Sequence, residues 1–327
     1  MSNQSQLDSI THPSVRLGIS SCLLGEKVRF NGGHVKDSFL LDTLGRYVEW
    51  VPVCPEVEIG MGVPRENIRL IGDPNFPQIV APKSGTDYTD TMKQWARIRV
   101  NQPDFRGIHG YVLKSNSPSC GLFRVRVYGN SSVPSRNGRG MFAQKLVETF
   151  PLLPVEEEGR LHDAKIRENF VERIFVYQRW QELLDDNPTL SKLVSFHASY
   201  KSTLMAHDPR SQAEMGRLVA NQKNQSIVDV ISEYGMLLMA TTKIVATNRK
   251  HANVLLHLVG FLKNHLDYVD KEALLELITE YRLGYLPLVV PLTLLQHHLN
   301  RNPVPDWVKQ QVYLNPYPKE LSLRNHV

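Results

Sequence analysis

Short apolar runs alternate with helical segments through the first half of the chain, and this alternation limits the possible folds more than any other feature. Three runs are each typical of a short buried strand: VRLGIS (15–20), YVEWVPV (47–53) and GIHGYVL (107–113). Three further segments have helical character: residues 36–44, 90–100 and 140–150. PLLPVEE (151–157) is typical of a last strand. Strand–helix–strand repeats predict an α/β domain with a parallel, Rossmann-like sheet.

The pattern changes after about residue 160, where long helical segments begin and continue toward the C-terminus. We therefore predict a C-terminal all-α domain, with one domain covering residues 1–162 and the other residues 163–327. Pro287 and Pro291 predict a helix break or kink. Residues 129–140 are predicted to be a flexible loop, and residues 315–327 an irregular tail.

Length and composition are typical of a soluble protein with two domains. A chain of 327 residues is too long for one ordinary core, and its 42% hydrophobic and 22% charged residues are typical of globular chains. The longest apolar runs contain prolines and are too short for a membrane span. A polar N-terminus without a secretory leader and an odd number of cysteines favour a reducing compartment, the cytoplasm. The net charge of +5 does not by itself indicate a nucleic-acid partner.

All three cysteines follow predicted strands. Cys22 comes after LGISS, Cys54 after EWVPV and Cys120 after YVLKSNSPS. The carboxyl ends of parallel strands lie along one edge of a sheet, where ligands bind, so we expect the three thiols to converge in one site. The alternative is that they are packed core thiols, but core cysteines usually lie within strands rather than in turn-rich stretches.

Three thiolates can hold either of two metal centres. Zinc with an open fourth position accepts three cysteines, and a [4Fe–4S] cluster on three cysteines leaves one iron open for substrate. Soft sulfur ligands suit both centres, and the spacing of the cysteines does not decide between them.

Polar side chains beside the cysteines complete the candidate site. Glu56 is a candidate general acid/base, although a carboxylate in the first turn of a helix is stabilised there without any catalytic role. The hydroxyls of Ser117 and Ser119 can donate to a bound anion or stabilise a turn. Lys114 and Ser21 are further candidate substrate contacts; for Lys114 the alternative is a solvated surface charge.

Three stretches of the chain closely resemble the signature sequences of the TudS-type thiouracil desulfidases: SSCLLGEKVRFNGGH, PVCPEVEIGMGVPRE and LKSNSPSCG. The resemblance covers about residues 15–160 and includes every cysteine. It implies an α/β fold, a [4Fe–4S] cluster held by Cys22, Cys54 and Cys120 with one open iron, and removal of sulfur from thiolated uracil without a redox step. By the same resemblance, Glu56 and Ser117 match the catalytic acidic and hydroxyl positions.

Residues 168–327 resemble the YbgA-type domain through FHASYKSTLMAH (196–207) and GRLVA (216–220). The fusion of the two domains is similar to the RudS-type desulfidases, which implies 4-thiouridine in tRNA as the substrate. The free thiolated nucleoside or base is the alternative substrate. The sequence indicates no membrane segment and no protein partner.

The second domain has a local excess of positive charge, because residues 197–263 hold eight Lys or Arg against four Asp or Glu. The candidate contacts to RNA phosphates are Lys201, Arg210, Lys243, Arg249 and Lys250. On a single helix through residues 241–258, Lys243 and Lys250 share one face. The alternative is an ordinary solvated helix surface.

The leading interpretation is an iron–sulfur desulfidase that converts thiolated uracil to the oxo form and releases sulfide. A zinc hydrolase that uses the same three thiolates is a second hypothesis. A non-catalytic iron–sulfur sensor that binds RNA or a protein partner through its helical half is a third.

Overall fold

The computed structural model describes residues 15–129, 133–221 and 226–327. The polar N-terminal stretch of residues 1–14 and Lys223, one of the eight basic residues counted above, lie outside this part. The chain divides into two compact units, Met1–Leu161 and His162–Val327. We refer to them as the α/β unit and the helical unit.

The α/β unit carries short strands and short helices in alternation. Its described strands are β1 (Val15–Ser20), β2 (Val48–Val53), β3 (Arg69–Ile71), β4 (Gln78–Val80), β5 (Gly110–Leu113), β6 (Val125–Tyr128), β7 (Ser135–Gly138) and β8 (Val155–Glu157). Its described α-helices are α1 (Pro55–Glu58), α2 (Thr89–Arg99) and α3 (Met141–Thr149). The predicted helix at residues 36–44 is instead a π-helical turn, Phe39–Thr43, followed by a 3-10 turn, Leu44–Arg46.

The predicted parallel sheet is confirmed, with its strands in the order β2-β1-β5-β8. β1 lies at its centre and pairs in parallel with β2 and β5, and β5 pairs in parallel with β8. Leu17, Ile19, Tyr111 and Val112 are fully buried in this sheet. Because the strands run in one direction, the residues that follow β2, β1 and β5 lie along the same edge.

A second sheet, in the order β4-β3-β6-β7, departs from the predicted pattern. β3 and β6 are parallel, while β4 and β7 pair antiparallel at the two edges. These strands have only three or four residues each, which is too short for a clear periodic signal. β7 lies inside the predicted flexible loop 129–140, so residues 135–138 of that loop are ordered by pairing with β6; residues 130–132 lie outside the described part.

The all-α prediction for the second half is also confirmed. The described helices are α4 (Ala164–Asp185), α5 (Leu190–His207), α6 (Pro209–Ala220), α7 (Ile227–Thr242), α8 (Asn248–Val259), α9 (Tyr268–Leu283), α10 (Val289–Arg301) and α11 (Asp306–Lys309). Six of them begin after a side chain that accepts a backbone N–H two or three residues on: Asp163, Thr189, Asp208, Ser226, Thr247 and Asp267. None of the helices in the described residues combines the length and apolar character that crossing a bilayer requires.

Two predictions for the helical unit are wrong. Residues 241–258 do not form one helix, because Thr247 caps a new helix that starts at Asn248, after α7 has ended at Thr242. Lys243 and Lys250 therefore do not share a helical face. The C-terminal residues are not an irregular tail either: 3-10 turns carry the chain to Asn325, and apolar side chains such as Leu323 are buried.

Candidate active site

A cavity of about 620 Å³ in the α/β unit is lined by all three cysteines. Cys22 follows β1 in a 3-10 turn, and Cys54 is the residue between β2 and α1. Cys120 lies in the loop between β5 and β6. All three are free thiols. The parallel strand order therefore brings the three strand ends to one cavity, although the cysteines are far apart in the sequence.

The loop that carries Cys120 is fixed from two sides. The Gly140 backbone packs so closely on this loop that a Cβ there would lie 2.4 Å from the Ser119 carbonyl oxygen, so only glycine is tolerated. The Glu157 carboxylate, at the end of β8, accepts the backbone N–H groups of Leu122 at 2.8 Å and Phe123 at 3.1 Å. These contacts fix the backbone on both sides of the thiol.

Glu56 lies in the first turn of α1 and is positioned by the loop that carries Cys120. Its Oε1 accepts a hydrogen bond from the Ser119 hydroxyl at 2.6 Å. Its Oε2 lies 3.6 Å from the Cys54 sulfur and 3.8 Å from the Arg65 guanidinium. The carboxylate is thus held between a buried hydroxyl, a thiol and a cation, and it lines the cavity.

The two serines of SPSC have different positions. Ser119 is fully buried behind Glu56 and is not on the cavity wall, so it is placed to orient Glu56 rather than to contact a substrate. Ser117 lines the cavity, and its oxygen accepts the backbone N–H of Cys120 at 3.1 Å. The two hydroxyls are 2.9 Å apart. Because the Ser119 proton is donated to Glu56, Ser117 is the donor in that contact, which gives a chain from Ser117 through Ser119 to Glu56.

Lys114 lines the cavity but is already paired. Its ammonium group contacts the Glu158 carboxylate and donates to the Ser115 hydroxyl at 3.0 Å. Glu158 also accepts the Ser115 backbone N–H at 2.7 Å. Lys114 is therefore neutralised rather than a free anion partner. Ser21 is buried at the cavity wall in the turn that carries Cys22.

Burial keeps the thiols protonated in the absence of a metal. It raises the pKa of Cys22 to about 11, against the opposing effect of Lys114. Burial and the neighbouring Glu56 raise the pKa of Cys54 to about 12, and burial raises the pKa of Cys120 well above its usual range. A thiophilic metal would therefore displace three protons on binding.

The donor set suits a thiophilic centre, since three free thiols from three different strand ends face one cavity. Within the described residues, no group of three or more His, Cys, Asp or Glu side chains has the geometry to hold a metal ion. Ligation by all three cysteines therefore stays a prediction. The residues that would hold a cluster are Cys22, Cys54 and Cys120.

The cavity wall is basic. Its charged residues are Arg29, Arg65, Arg69, Lys114 and Arg126, opposed by Glu56 and Glu66. Arg69 and Arg126 lie side by side because their strands pair with Leu70 opposite Val127. Within residues 15–129, 133–221 and 226–327, neither of these two arginines forms an ion pair; Arg69 instead lies 5.0 Å from the centre of the Tyr128 ring.

The candidate RNA contacts of the helical unit are mostly exposed surface charges. Lys201 on α5, Arg210 on α6, Lys243 after α7 and Arg249 on α8 are exposed. Lys250 is half-buried, and its ammonium group contacts the carbonyl of His207 at the end of α5. A lysine at a helix C-terminus stabilises the last carbonyls, so Lys250 has a structural role.

Several residues of the site carried no assignment from the sequence. Arg65, Glu157 and Glu158 position the side chains and loops named above. Three consecutive acidic residues stand at the end of a predicted strand. Three unpaired carboxylates are unfavourable beside a binding edge, so this run could have predicted that they have hydrogen-bond or ion-pair partners there. Arg69 and Arg126 could not be found in this way, because their strands were not predicted.

Comparison with protein families assigns each half of the chain separately. A family model described as 2-thiouracil desulfurase matches residues 17–158. A model described as a protein of unknown function, DUF1722, matches residues 201–318.

Individual relatives follow the same division. The uncharacterized protein YbgA of Escherichia coli (strain K12) is 29% identical over 154 residues, which are 47% of this chain and 90% of YbgA. The uncharacterized protein YbbK of Bacillus subtilis (strain 168) is 31% identical over 108 residues, 32% of this chain and 71% of YbbK. Among solved structures, the [4Fe-4S]-dependent thiouracil desulfidase TudS is 30% identical, with a TM-score of 0.38, over 45% of this chain and 93% of TudS.

Proposed function

The chain belongs to the 2-thiouracil desulfurase family through residues 17–158 and carries a DUF1722-type (YbgA-type) region after it, and from this we propose that it is an iron–sulfur-dependent, non-redox desulfidase of thiolated uracil. The proposed substrate is 4-thiouridine in tRNA. Residues 1–162 are proposed as the desulfidase domain, and residues 163–327 as the domain that binds the tRNA.

One observation carries the proposal: three free thiols and Glu56 line the same cavity. When bound to Cys22, Cys54 and Cys120, a [4Fe–4S] cluster with one open iron supplies a Lewis acid with affinity for the soft sulfur of a thiocarbonyl. The named solved relative is a [4Fe-4S]-dependent enzyme, which supports this choice over zinc.

The chain's own residues supply the proton transfers. Replacing the thiocarbonyl sulfur by oxygen consumes one water and releases one hydrogen sulfide, with no electron transferred. Glu56 Oε1 is occupied by the Ser119 hydroxyl, so Oε2 is the oxygen that accepts the proton of the attacking water and returns it to the leaving sulfur. Arg65 holds this oxygen in place. Ser117 lines the cavity and donates its proton to Ser119, so its proposed role is to hold Glu56 in position through Ser119.

The basic wall supports a phosphate-bearing substrate over the free base. Arg69 and Arg126 are adjacent, exposed and free of acidic partners among the described residues. Guanidinium groups bind phosphate oxygens in paired hydrogen bonds, whereas thiouracil itself carries no phosphate to bind.

The substrate is tested by measuring sulfide release under argon from 2-thiouracil, 4-thiouridine and tRNA that contains 4-thiouridine. We expect tRNA to have the highest kcat/KM. Glu56→Ala should retain the visible absorption of the cluster and lose sulfide release, because a sensor does not need this carboxylate and a desulfidase does. Equal rates on all three substrates would contradict the assignment of tRNA as the substrate. A wild-type protein that carries the cluster and releases no sulfide would contradict the proposed desulfidase activity.

The tRNA-binding role is tested with the full chain. A triple variant, Lys201→Gln, Arg210→Gln and Arg249→Gln, should bind tRNA more weakly and with less salt dependence. Each removed phosphate contact lowers the slope of log K against log salt concentration by about one. Lys271→Gln, Arg282→Gln and Arg301→Gln remove the same charge from other exposed positions of the helical unit and serve as the control. Equal binding by both triple variants would assign tRNA recognition to another surface.

A further inference from the structure

One aromatic side chain on the cavity wall is left exposed although the backbone that carries it is fixed. Phe30 lines the cavity with the three cysteines, and 43% of its surface is accessible. Another exposed phenylalanine of the α/β unit, Phe76, is 82% accessible and lies away from the cavity. Isolated exposed phenylalanines are common; what sets Phe30 apart is its place in the wall of the candidate active site.

The loop that carries Phe30 is a tight, hydrogen-bonded turn. The Gly32 N–H donates to the Arg29 carbonyl at 2.9 Å, and the Arg29 N–H donates to the Gly33 carbonyl at 3.2 Å. Gly32 has φ +74°, a conformation that favours glycine. The Phe30 carbonyl accepts the backbone N–H of Arg65 at 2.8 Å. The ring is therefore presented from the tip of a turn whose main chain is bonded on both sides.

The same loop approaches the thiols and the catalytic carboxylate. The Cys54 sulfur lies 3.8 Å from the carbonyl oxygen of Val28, two residues before Phe30. Arg65, whose backbone holds Phe30, also contacts Glu56 through its side chain. Phe30 is thus attached to the frame that positions the reacting groups.

Among the residues that the structure describes, the Phe30 ring face has no strong competing partner. The Arg29 guanidinium is 5.7 Å from the Phe30 ring centre, close to the outer limit of cation–π contact. Tyr128, the other aromatic residue on this wall, has the Arg69 guanidinium at 5.0 Å and is half-buried. Phe30 is therefore the side chain whose flat, apolar surface remains available to a flat ligand.

We propose that Phe30 is the base-stacking residue of the site and orients the thiolated pyrimidine ring toward the three thiols and Glu56. The inference rests on the proposed function and adds a substrate-orienting residue to it. Aromatic side chains stack on any pyrimidine, because every base has a π face, so Phe30 provides affinity and orientation. The groups around Phe30, rather than its ring, select which position of the pyrimidine carries the sulfur.

The test compares Phe30→Ala, Phe30→Trp and Phe76→Ala in the full chain with its cluster. Phe30→Ala should raise KM for 4-thiouridine by roughly 5- to 150-fold, the range that base–aromatic stacking implies. It should raise the dissociation constant of the product uridine, measured by calorimetry, by a similar factor. Phe30→Trp should retain or improve both values, and Phe76→Ala should leave them unchanged. Iron content and visible absorption should be the same in all four proteins.

The outcomes separate this inference from the proposed function. If wild type releases no sulfide from any thiolated compound, the proposed function fails. If wild type is active and Phe30→Ala leaves KM and uridine binding unchanged, only the stacking role fails. Loss of iron from Phe30→Ala would assign the ring to the cluster pocket and would overturn the inference, as would equal weakening by Phe30→Trp and Phe30→Ala.

Discussion

A single buried hydroxyl determines the orientation of the carboxylate that the proposed chemistry needs. Ser119 is fully buried and has one proton, which it gives to Glu56 at 2.6 Å. With Oε1 fixed in this way and Arg65 beside Oε2, Glu56 has little rotational freedom. A proton-transfer group that is already oriented loses less entropy in the transition state.

Ser119→Ala should therefore lower kcat while leaving the cluster in place. Loss of a hydrogen bond to a charged group costs about 1.5–3 kcal/mol, so we expect kcat for sulfide release to fall roughly 10- to 150-fold, with little change in KM or iron content. The exposed Ser135 provides the control substitution, Ser135→Ala. Unchanged kcat in Ser119→Ala would show that Glu56 does not depend on this contact.

Among the elements, the strands that place the cysteines were predictable and those that place the arginines were not. β1, β2 and β5 are apolar runs whose ends coincide with Cys22, Cys54 and the loop before Cys120, so the sequence pattern and the strand-end rule locate the cavity. β3, which carries Arg69, has three residues, and β6, which carries Arg126, has four. Strands this short form through pairing with partners distant in the sequence, which a local sequence pattern does not show. The hydrogen bond from Ser119 to Glu56 likewise joins two loops that are distant in the sequence. Because a local pattern does not show this partner, the sequence predicts a substrate contact for Ser119 instead.

The C-terminal segment shows the same limit, because a buried cation holds it in the helical unit. Arg324 donates to the Tyr313 carbonyl at 2.6 Å and lies 3.6 Å from Glu168 and 4.0 Å from Glu172, both on α4. The Tyr317 hydroxyl donates to Glu168 at 2.8 Å. Nothing in the polar sequence of residues 315–327 indicates that it meets two buried carboxylates.

Arg324→Met should destabilise the helical unit strongly, because it leaves Glu168 and Glu172 buried with less opposing charge. Removing one partner of a buried ion pair costs about 3–5 kcal/mol, which urea denaturation of the full chain followed by circular dichroism will detect. Arg301→Met, on an exposed residue of α10, should change the free energy of unfolding by less than about 0.5 kcal/mol. Equal effects of the two substitutions would contradict the role of the buried cation.

For the molecule as a whole, buried histidines make stability depend on pH. Burial, assisted by Arg324, lowers the pKa of His251 to about 3, and burial with Lys201 lowers the pKa of His197 to about 4. In the unfolded chain the pKa of both histidines is 6.5. Between these values the unfolded chain binds protons that the folded chain does not, so acidification favours unfolding. His207 acts in the opposite sense: burial opposes its charge, but Glu172 raises its pKa. Its contribution to the free energy of unfolding is therefore complete at low pH and is lost as the pH rises through the pKa of His207 in the folded protein.

Comparing wild type with His251→Gln isolates one of these contributions. Between pH 6.5 and pH 5, wild type should lose about 1.6 kcal/mol more unfolding free energy than His251→Gln, since only wild type gains the His251 proton on unfolding. His257→Gln, on the exposed face of the same helix, should follow wild type. Parallel pH profiles for wild type and His251→Gln would show that His251 titrates normally in the folded protein.

The most direct test of the central claim is iron content together with sulfide release, measured on the full chain after anaerobic reconstitution with iron and sulfide. Wild type should be brown, hold about four irons per chain and release sulfide from 4-thiouridine. Cys22→Ser, Cys54→Ser and Cys120→Ser should each lose both iron and activity. A variant that keeps full iron and full activity without one of the three thiols would contradict the claim that they share one cluster, and so would a fully loaded wild type that releases no sulfide.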